Sequence, residues 1–291
     1  MHHPDSSADD VTKHLIAKPS ISKPVLHIAH ANGFTGGTYS SLAKHLSNDY
    51  QVEALDRIGH NPLYPTTDNW PHLIREFEEY IEQMSKQAGQ PIIAVGHSLG
   101  GVLSLILALR RPDLVRALVM LDSPALPQWQ SRGLQLLKFT RLNERLFPIR
   151  RIEVRRTLWR DFDEARTYFR SKSLMKRFDE QCLADYIRTA TDETPDGLRL
   201  RVEPQIEADI WRTIPDNLHR YGKLKVPGTI IAGRHSAIFQ PRHALYMKQR
   251  LGMRVEWTDG GHMYPLEQPV HTATLIDQAL KTMLNGANVI R

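Results

Sequence analysis

Gly96-His97-Ser98-Leu99-Gly100 sets a serine in the spacing G-x-S-x-G. A hydroxyl in that spacing can act as a nucleophile where a strand runs into the pentapeptide and a helix runs out of it. Both neighbours have suitable compositions. Pro91-Ile92-Ile93-Ala94-Val95 is a short apolar run and predicts a buried strand. Leu99 to Leu109 is rich in helix formers and predicts a helix. The turn between them must be sharp. Ser98 is therefore expected in a strained backbone conformation, with Gly96 and Gly100 permitting close approach. Its hydroxyl would stand at a helix N-terminus, whose dipole favours negative charge developing beside it.

A serine hydroxyl near neutral pH needs a base, an orienting acid behind the base, and donors for an oxyanion. Gly260-Gly261-His262-Met263-Tyr264-Pro265 follows the last expected strand, and its glycines let the loop turn and carry His262 toward Ser98. An imidazole can take the serine proton and return it to a leaving group. Leu99, the residue after the nucleophile, is expected to donate one backbone N–H to the oxyanion. The second donor is expected in the loop His30-Ala31-Asn32-Gly33-Phe34-Thr35-Gly36-Gly37, at Phe34 or, failing that, at Gly33. The chain has no His-Glu-x-x-His, no paired cysteine and no phosphate-loop ending, so neither a metal nor a cofactor is expected.

The elements that must position these groups alternate. Strands are predicted at Val25–Ala29, Tyr50–Leu55, Pro91–Val95 and Ala117–Leu121, with helices at Tyr39–Leu46, Pro71–Lys86 and Leu99–Leu109. The alternation resumes with strands at Val226–Gly233 and Met253–Trp257 and helices at Arg242–Arg250 and Val270–Leu284. This predicts an α/β fold with a doubly wound, mostly parallel sheet. Between the two halves, Pro127 to Tyr221 shows amphipathic helical stretches and no convincing strand. The expected organisation is an N-terminal extension (1–23), a core (24–126 and 222–291) and a helical cap (127–221) inserted after the strand ending at Asp122. Such a cap would lie over the strands' C-terminal ends, where open α/β sheets bind ligands. Gly33, His97, Trp129, Trp159 and Trp211 are the candidate pocket residues; the alternative for each tryptophan is packing within the cap.

Taken together, these residues make the chain resemble the α/β-hydrolase superfamily, in its capped, esterase-like branch. Four stations carry the likeness in order: His30 to Gly37, Leu55-Asp56-Arg57-Ile58-Gly59-His60, Gly96 to Gly101, and Gly260 to Pro265 followed by Leu266-Glu267-Gln268-Pro269. It covers nearly all of residues 24–285. The chain departs from the family pattern in three places, the first being that the segment before Val25 is short for the antiparallel strand pair that usually opens the fold. Ala31 and Asn32 stand between His30 and Gly33, where a glycine usually follows the histidine directly. Ser236 stands where the family commonly carries its triad Asp, and a serine cannot supply the charge that stabilises an imidazolium. The resemblance implies another source. Some relatives place the acid at the end of the strand after the elbow helix, which here is Asp122, in the order Ser98, Asp122, His262. Asp259 and Glu267 flank the histidine loop and are expected to turn away from it.

The implied function is a serine hydrolase, a carboxylesterase for small or medium acyl esters working through an acyl-enzyme. A thioesterase or C–C bond hydrolase would use the same residues. Ser236 also leaves room for a non-catalytic ligand receptor. A single cysteine, Cys182, excludes an internal disulfide, and the polar start carries no apolar leader, so a cytoplasmic protein is expected. No membrane span is expected, since no run of about 18 apolar residues occurs. The net charge of +6 is concentrated between Arg141 and Arg177. There Val154, Leu158 and Phe162 fall at i, i+4 and i+8 among arginines, which predicts an amphipathic helix with a solvated basic face. With no nucleic-acid motif beside it, the expected partner is a small-molecule ester and not nucleic acid. The sequence assigns no oligomeric state.

Overall fold

The computed structural model describes residues 23–286. The expected N-terminal extension, apart from Lys23, lies outside the described residues. The described residues begin with β1 (Val25–Ala29), pass a one-turn helix into α1 (Ser40–Leu46), and continue through β2 (Gln51–Glu53), α2 (Pro71–Ala88), β3 (Ile92–His97), α3 (Leu99–Arg110) and β4 (Val115–Leu121). After β4 come α4 (Gln128–Phe139), α5 (Asn143–Leu146), α6 (Ile149–Glu153), β5 (Leu158–Trp159), α7 (Phe162–Arg170), α8 (Glu180–Ala190), β6 (Thr191–Thr194), β7 (Gly197–Leu200) and α9 (Pro204–Arg212). The chain closes with β8 (Gly228–Gly233), α10 (Pro241–Tyr246), β9 (Arg254–Thr258), α11 (Tyr264–Glu267) and α12 (Pro269–Gly286).

The main sheet has six strands in the order β2-β1-β3-β4-β8-β9, and every neighbouring pair is parallel. Strand side chains alternate between faces. Leu26, Ile28, Ile93, Val95, Val119 and Ile231 enter one apolar cluster with Leu42 and Leu46 of α1 and Ile276 and Leu280 of α12. Their neighbours Val25, Ala29, Ile92, Ala94, Leu118 and Ile230 enter a second with α2 and α3. Helices thus cover both faces, as the doubly wound reading expects. Strand order reverses direction at β1 and β3. The crevice beyond their C-terminal ends is the place where such sheets bind ligands.

Residues 127–221 leave after β4 and return before β8. The segment is mainly helical, but it also holds a three-stranded antiparallel sheet, β5-β7-β6, which the sequence reading missed. The signal was Pro195-Asp196-Gly197, a turn tripeptide between strand-forming residues. Gly197 takes φ +119°, and a Cβ there would lie 2.2 Å from the Trp159 carbonyl oxygen. The amphipathic helix predicted through Val154, Leu158 and Phe162 does not form. Leu158 and Trp159 pair with β7, and Asp161 begins a new helix by accepting the Glu164 N–H at 2.9 Å. Trp159, Phe169 and Tyr186 of this segment join the same apolar cluster as one face of the main sheet. Among the described residues, no helix is long and apolar enough to cross a membrane.

Candidate active site

The turn from β3 into α3 is as tight as the glycine spacing requires. Ser98 takes φ 53° and ψ −115°, in the left-handed half of the map. A Cβ on Gly100 would lie 2.2 Å from the Ala29 carbonyl oxygen, and one on Gly96 2.4 Å from the Gly100 oxygen. Only glycines let the helix start so close to β1 and β3. The Ser98 N–H is held by the Leu121 carbonyl at 3.2 Å, and the Gly100 N–H by the His30 carbonyl at 3.1 Å.

His262 stands next to this turn. Its Nε2 lies 3.1 Å from Ser98 Oγ and its Nδ1 lies 2.7 Å from Asp122 Oδ2. A carboxylate only accepts, so Nδ1 carries the proton and Nε2 is free to accept from the serine hydroxyl. Asp122 is fully buried at the tip of β4. Its Oδ1 accepts the Gly233 N–H at 2.9 Å, and Oδ2 accepts the Ser236 hydroxyl at 2.5 Å as well as the imidazole. Ser236, in the family's usual acid position, thus holds the carboxylate in place. The flanking acids are engaged elsewhere: Asp259 with His235 at 2.9 Å and Glu267 with Arg177 at 3.6 Å.

The oxyanion loop differs from the sequence expectation. The Phe34 N–H donates to the Ala31 carbonyl at 3.2 Å, closing a turn, so it is not free to face a substrate. The N–H groups of Leu99, at the first turn of α3, of Asn32 and of Gly33 donate to no protein acceptor among the described residues. Asn32 lines the space above Ser98, while Gly33, the alternative donor, does not. Gly33 takes φ +84°, and a Cβ there would lie 2.8 Å from the Glu207 carboxylate of α9. The Asn32 side chain is itself tied to α9, donating to the Glu207 carbonyl at 3.0 Å.

Four of the five expected pocket residues line neither cavity at Ser98: Gly33, as above, and Trp159, Trp129 and His97. Trp159 is fully buried against Tyr168 and Phe169, with ring centroids 5.3 and 4.7 Å away. Trp129 is 64 % exposed, with the Arg242 guanidinium 5.8 Å from its ring centroid. His97 is buried and lines neither cavity at Ser98. Burial, reinforced by the nearby His262, holds its imidazole well below the ordinary value, so it is neutral. The Tyr39 hydroxyl donates to its Nδ1 at 2.6 Å, and its Nε2 donates to the His262 carbonyl at 2.9 Å. The Tyr39 oxygen in turn accepts the Ala31 N–H at 3.2 Å. His97 therefore ties the histidine loop to the oxyanion loop. Only Trp211 fits the expectation: it lines both cavities that meet at Ser98, with Phe147 5.3 Å away between centroids.

One cavity, of about 350 Å³, lies over Leu99 and Val102 and is walled by Leu134, Ile210 and Ile214. The other, of about 710 Å³, reaches His262 and Met263 and is walled by Phe34, Tyr168, Phe169 and Tyr186. Among the described residues, no three His, Cys, Asp or Glu side chains gather where they could hold a metal ion.

A family model described as "Alpha/beta hydrolase family" matches residues 25–273. The human monoglyceride lipase is 27% identical over 105 residues, which are 34% of this chain and 35% of that protein. Lipase LipV of Mycobacterium tuberculosis is 34% identical over 87 residues, 30% of this chain and 32% of that protein. The similarity thus spans about a third of these relatives. Among solved structures, E-2-(acetamidomethylene)succinate hydrolase is similar with TM-score 0.67 at 20% identity, covering 91% of this chain and 92% of that one. The thioesterase domain from the curacin biosynthetic pathway is similar with TM-score 0.66 at 18% identity, covering 87% and 91%. With the family model spanning most of the chain and the sheet, elbow and crevice arranged as described, this chain belongs to the alpha/beta hydrolase family.

Proposed function

We propose that the protein is a serine carboxylesterase acting on small or medium acyl esters, with Ser98 as nucleophile, His262 as base and Asp122 as orienting acid. The observation that carries this reading is the unbroken relay from Ser98 Oγ through His262 to Asp122, with contacts of 3.1 and 2.7 Å. Ser98 attacks the ester carbonyl as its proton passes to Nε2. The buried Asp122 carboxylate stabilises the imidazolium that forms. The N–H groups of Asn32 and Leu99 hold the oxyanion, with Asn32 taking the place first expected of Phe34. His262 then protonates the leaving alcohol, the acyl-enzyme forms, and His262 activates a water that releases the acid. Residues 127–221 act as the cap that shields this chemistry. The relatives that are lipases support ester hydrolysis in general.

The receptor reading drew on the missing acid at Ser236, and a carboxylate 2.7 Å from His262 Nδ1 removes that motive. A thioester or a C–C bond would meet the same relay. Turnover of p-nitrophenyl esters, acyl-CoA thioesters and 1,3-diketones by the wild-type protein and by Ser98→Ala tests the reading. The expected result is ester turnover that disappears in Ser98→Ala. Ester turnover that persists in the variant, or an intact protein that hydrolyses no ester, contradicts it.

A further inference from the structure

The two cavities at Ser98 are not equivalent, because only the larger is lined by His262. The imidazole that takes the serine proton must hand it to the leaving group, so that group has to lie within reach of Nε2. The leaving group therefore occupies the larger cavity, of about 710 Å³, and the acyl group the smaller, of about 350 Å³. The larger cavity also carries most of the charge. Arg151, Arg155 and Lys172 line it, against a single carboxylate, Glu207. Arg155 is paired with that carboxylate and also donates to the Val202 carbonyl at 3.1 Å. Among the described residues, Arg151 and Lys172 have no carboxylate within 4.0 Å. The Lys172 ammonium sits 3.8 Å from the centroid of Tyr168, itself part of the cavity wall. Arg145 and Arg150 add to the positive rim in the adjoining crevice, where the one acid, Glu144, is paired with Arg212 at 3.8 Å. The smaller cavity has one cation, Arg242, engaged with the exposed Trp129 ring.

Resting on the esterase reading above, we propose that the preferred substrates are esters of a compact acyl group with a bulky apolar or aromatic alcohol that bears a negative charge. The apolar body of the alcohol fills the aromatic-walled cavity, and its anionic group is met by Arg151 and Lys172. Cations without a buried partner act mainly on binding and capture, so the effect belongs in KM and falls with salt.

Three esters test this: p-nitrophenyl butyrate, the butyrate ester of 4-hydroxybenzenesulfonate, and the mono-p-nitrophenyl ester of adipate. They are neutral, charged on the leaving group, and charged on the acyl group. The quantity read is kcat/KM relative to the neutral ester, compared between wild type and Arg151→Ala/Lys172→Ala, so that intrinsic reactivity cancels. Both side chains are at the surface, and the melting temperature checks that the variant folds. The expected result is a roughly three- to tenfold loss of the sulfonate ratio in the variant, carried by KM and shrinking at 0.5 M salt. The adipate ratio stays unchanged. An unchanged sulfonate ratio with all three esters turned over overturns the inference and leaves the esterase reading standing. A loss confined to the adipate ester reverses the assignment of the cavities. Failure of the wild-type protein to turn over any ester removes the esterase reading and this inference with it.

Discussion

Replacing Asp122 by Asn isolates the charge behind the base, because the contacts dictate how an amide must sit. Oδ1 accepts from the Gly233 N–H at 2.9 Å, while Oδ2 accepts from both Ser236 and His262, at 2.5 and 2.7 Å. An amide offers one acceptor and one donor. If its oxygen faces His262, its NH2 meets the buried Gly233 N–H, which costs roughly 1–3 kcal/mol for an unsatisfied donor. If its oxygen faces Gly233, its NH2 points at Nδ1 and forces the proton to Nε2. The imidazole then cannot accept from Ser98. The variant should therefore fold normally and lose about 10³- to 10⁴-fold in kcat, or about 4–5.5 kcal/mol of transition-state stabilisation. The assay is p-nitrophenyl butyrate hydrolysis, with thermal melts to check folding. Because the Ser236 hydroxyl already touches Asp122, Asp122→Asn/Ser236→Asp should return at least about tenfold of the lost rate by supplying a carboxylate from the neighbouring strand. A folded Asp122→Asn protein keeping more than about a tenth of wild-type kcat refutes the assignment of the acid.

Two further outcomes follow from burial. His27 and His30 are fully buried, and desolvation pushes their imidazoles down to about 3 and about 4. Their Nε2 atoms accept the Leu55 and Ile58 N–H groups at 3.1 and 2.9 Å. Below pH ~6.5 the unfolded chain takes up protons that the native histidines refuse. Stability is therefore full above about pH 6.5 and is lost as pH falls toward 4 and then 3, by roughly 2 kcal/mol for each histidine at pH 5. Urea midpoints at pH 7.5, 6 and 5 should fall in that order, and equal midpoints would contradict the burial argument. Trp159→Ala should cost roughly 3–5 kcal/mol of stability, whereas Trp211→Ala should change ester KM more than melting temperature. The reverse pattern would mean that the cavity walls are misassigned.

How far each feature was legible in the sequence depends on how local its cause is. The elbow is set by adjacent residues, since the glycine spacing and the flanking apolar runs determine the turn at Ser98. The sheet follows, for the same reason, from short apolar runs alternating with helical stretches. Asp122 could be reached only through the family resemblance, because nothing in its neighbours says that β4 ends beside the histidine loop. The turn that the Phe34 N–H closes onto the Ala31 carbonyl leaves no composition signature. Trp129, Trp159 and Trp211 look alike as residues, and their fates differ by which face of the 127–221 segment meets the sheet. The small antiparallel sheet there was readable at Pro195-Asp196-Gly197, but the surrounding amphipathic pattern favoured helix. The unequal cavities depend on the docking of that segment as a whole, which no short window of sequence encodes.

Activation by His262 should let Ser98 form a covalent intermediate. Intact-mass analysis after treatment with a fluorophosphonate measures this directly. One adduct per chain is expected, mapped to Ser98, absent in Ser98→Ala, and formed far more slowly in His262→Ala. A folded protein that takes no label, or a Ser98→Ala protein that labels as fast as wild type, would contradict it.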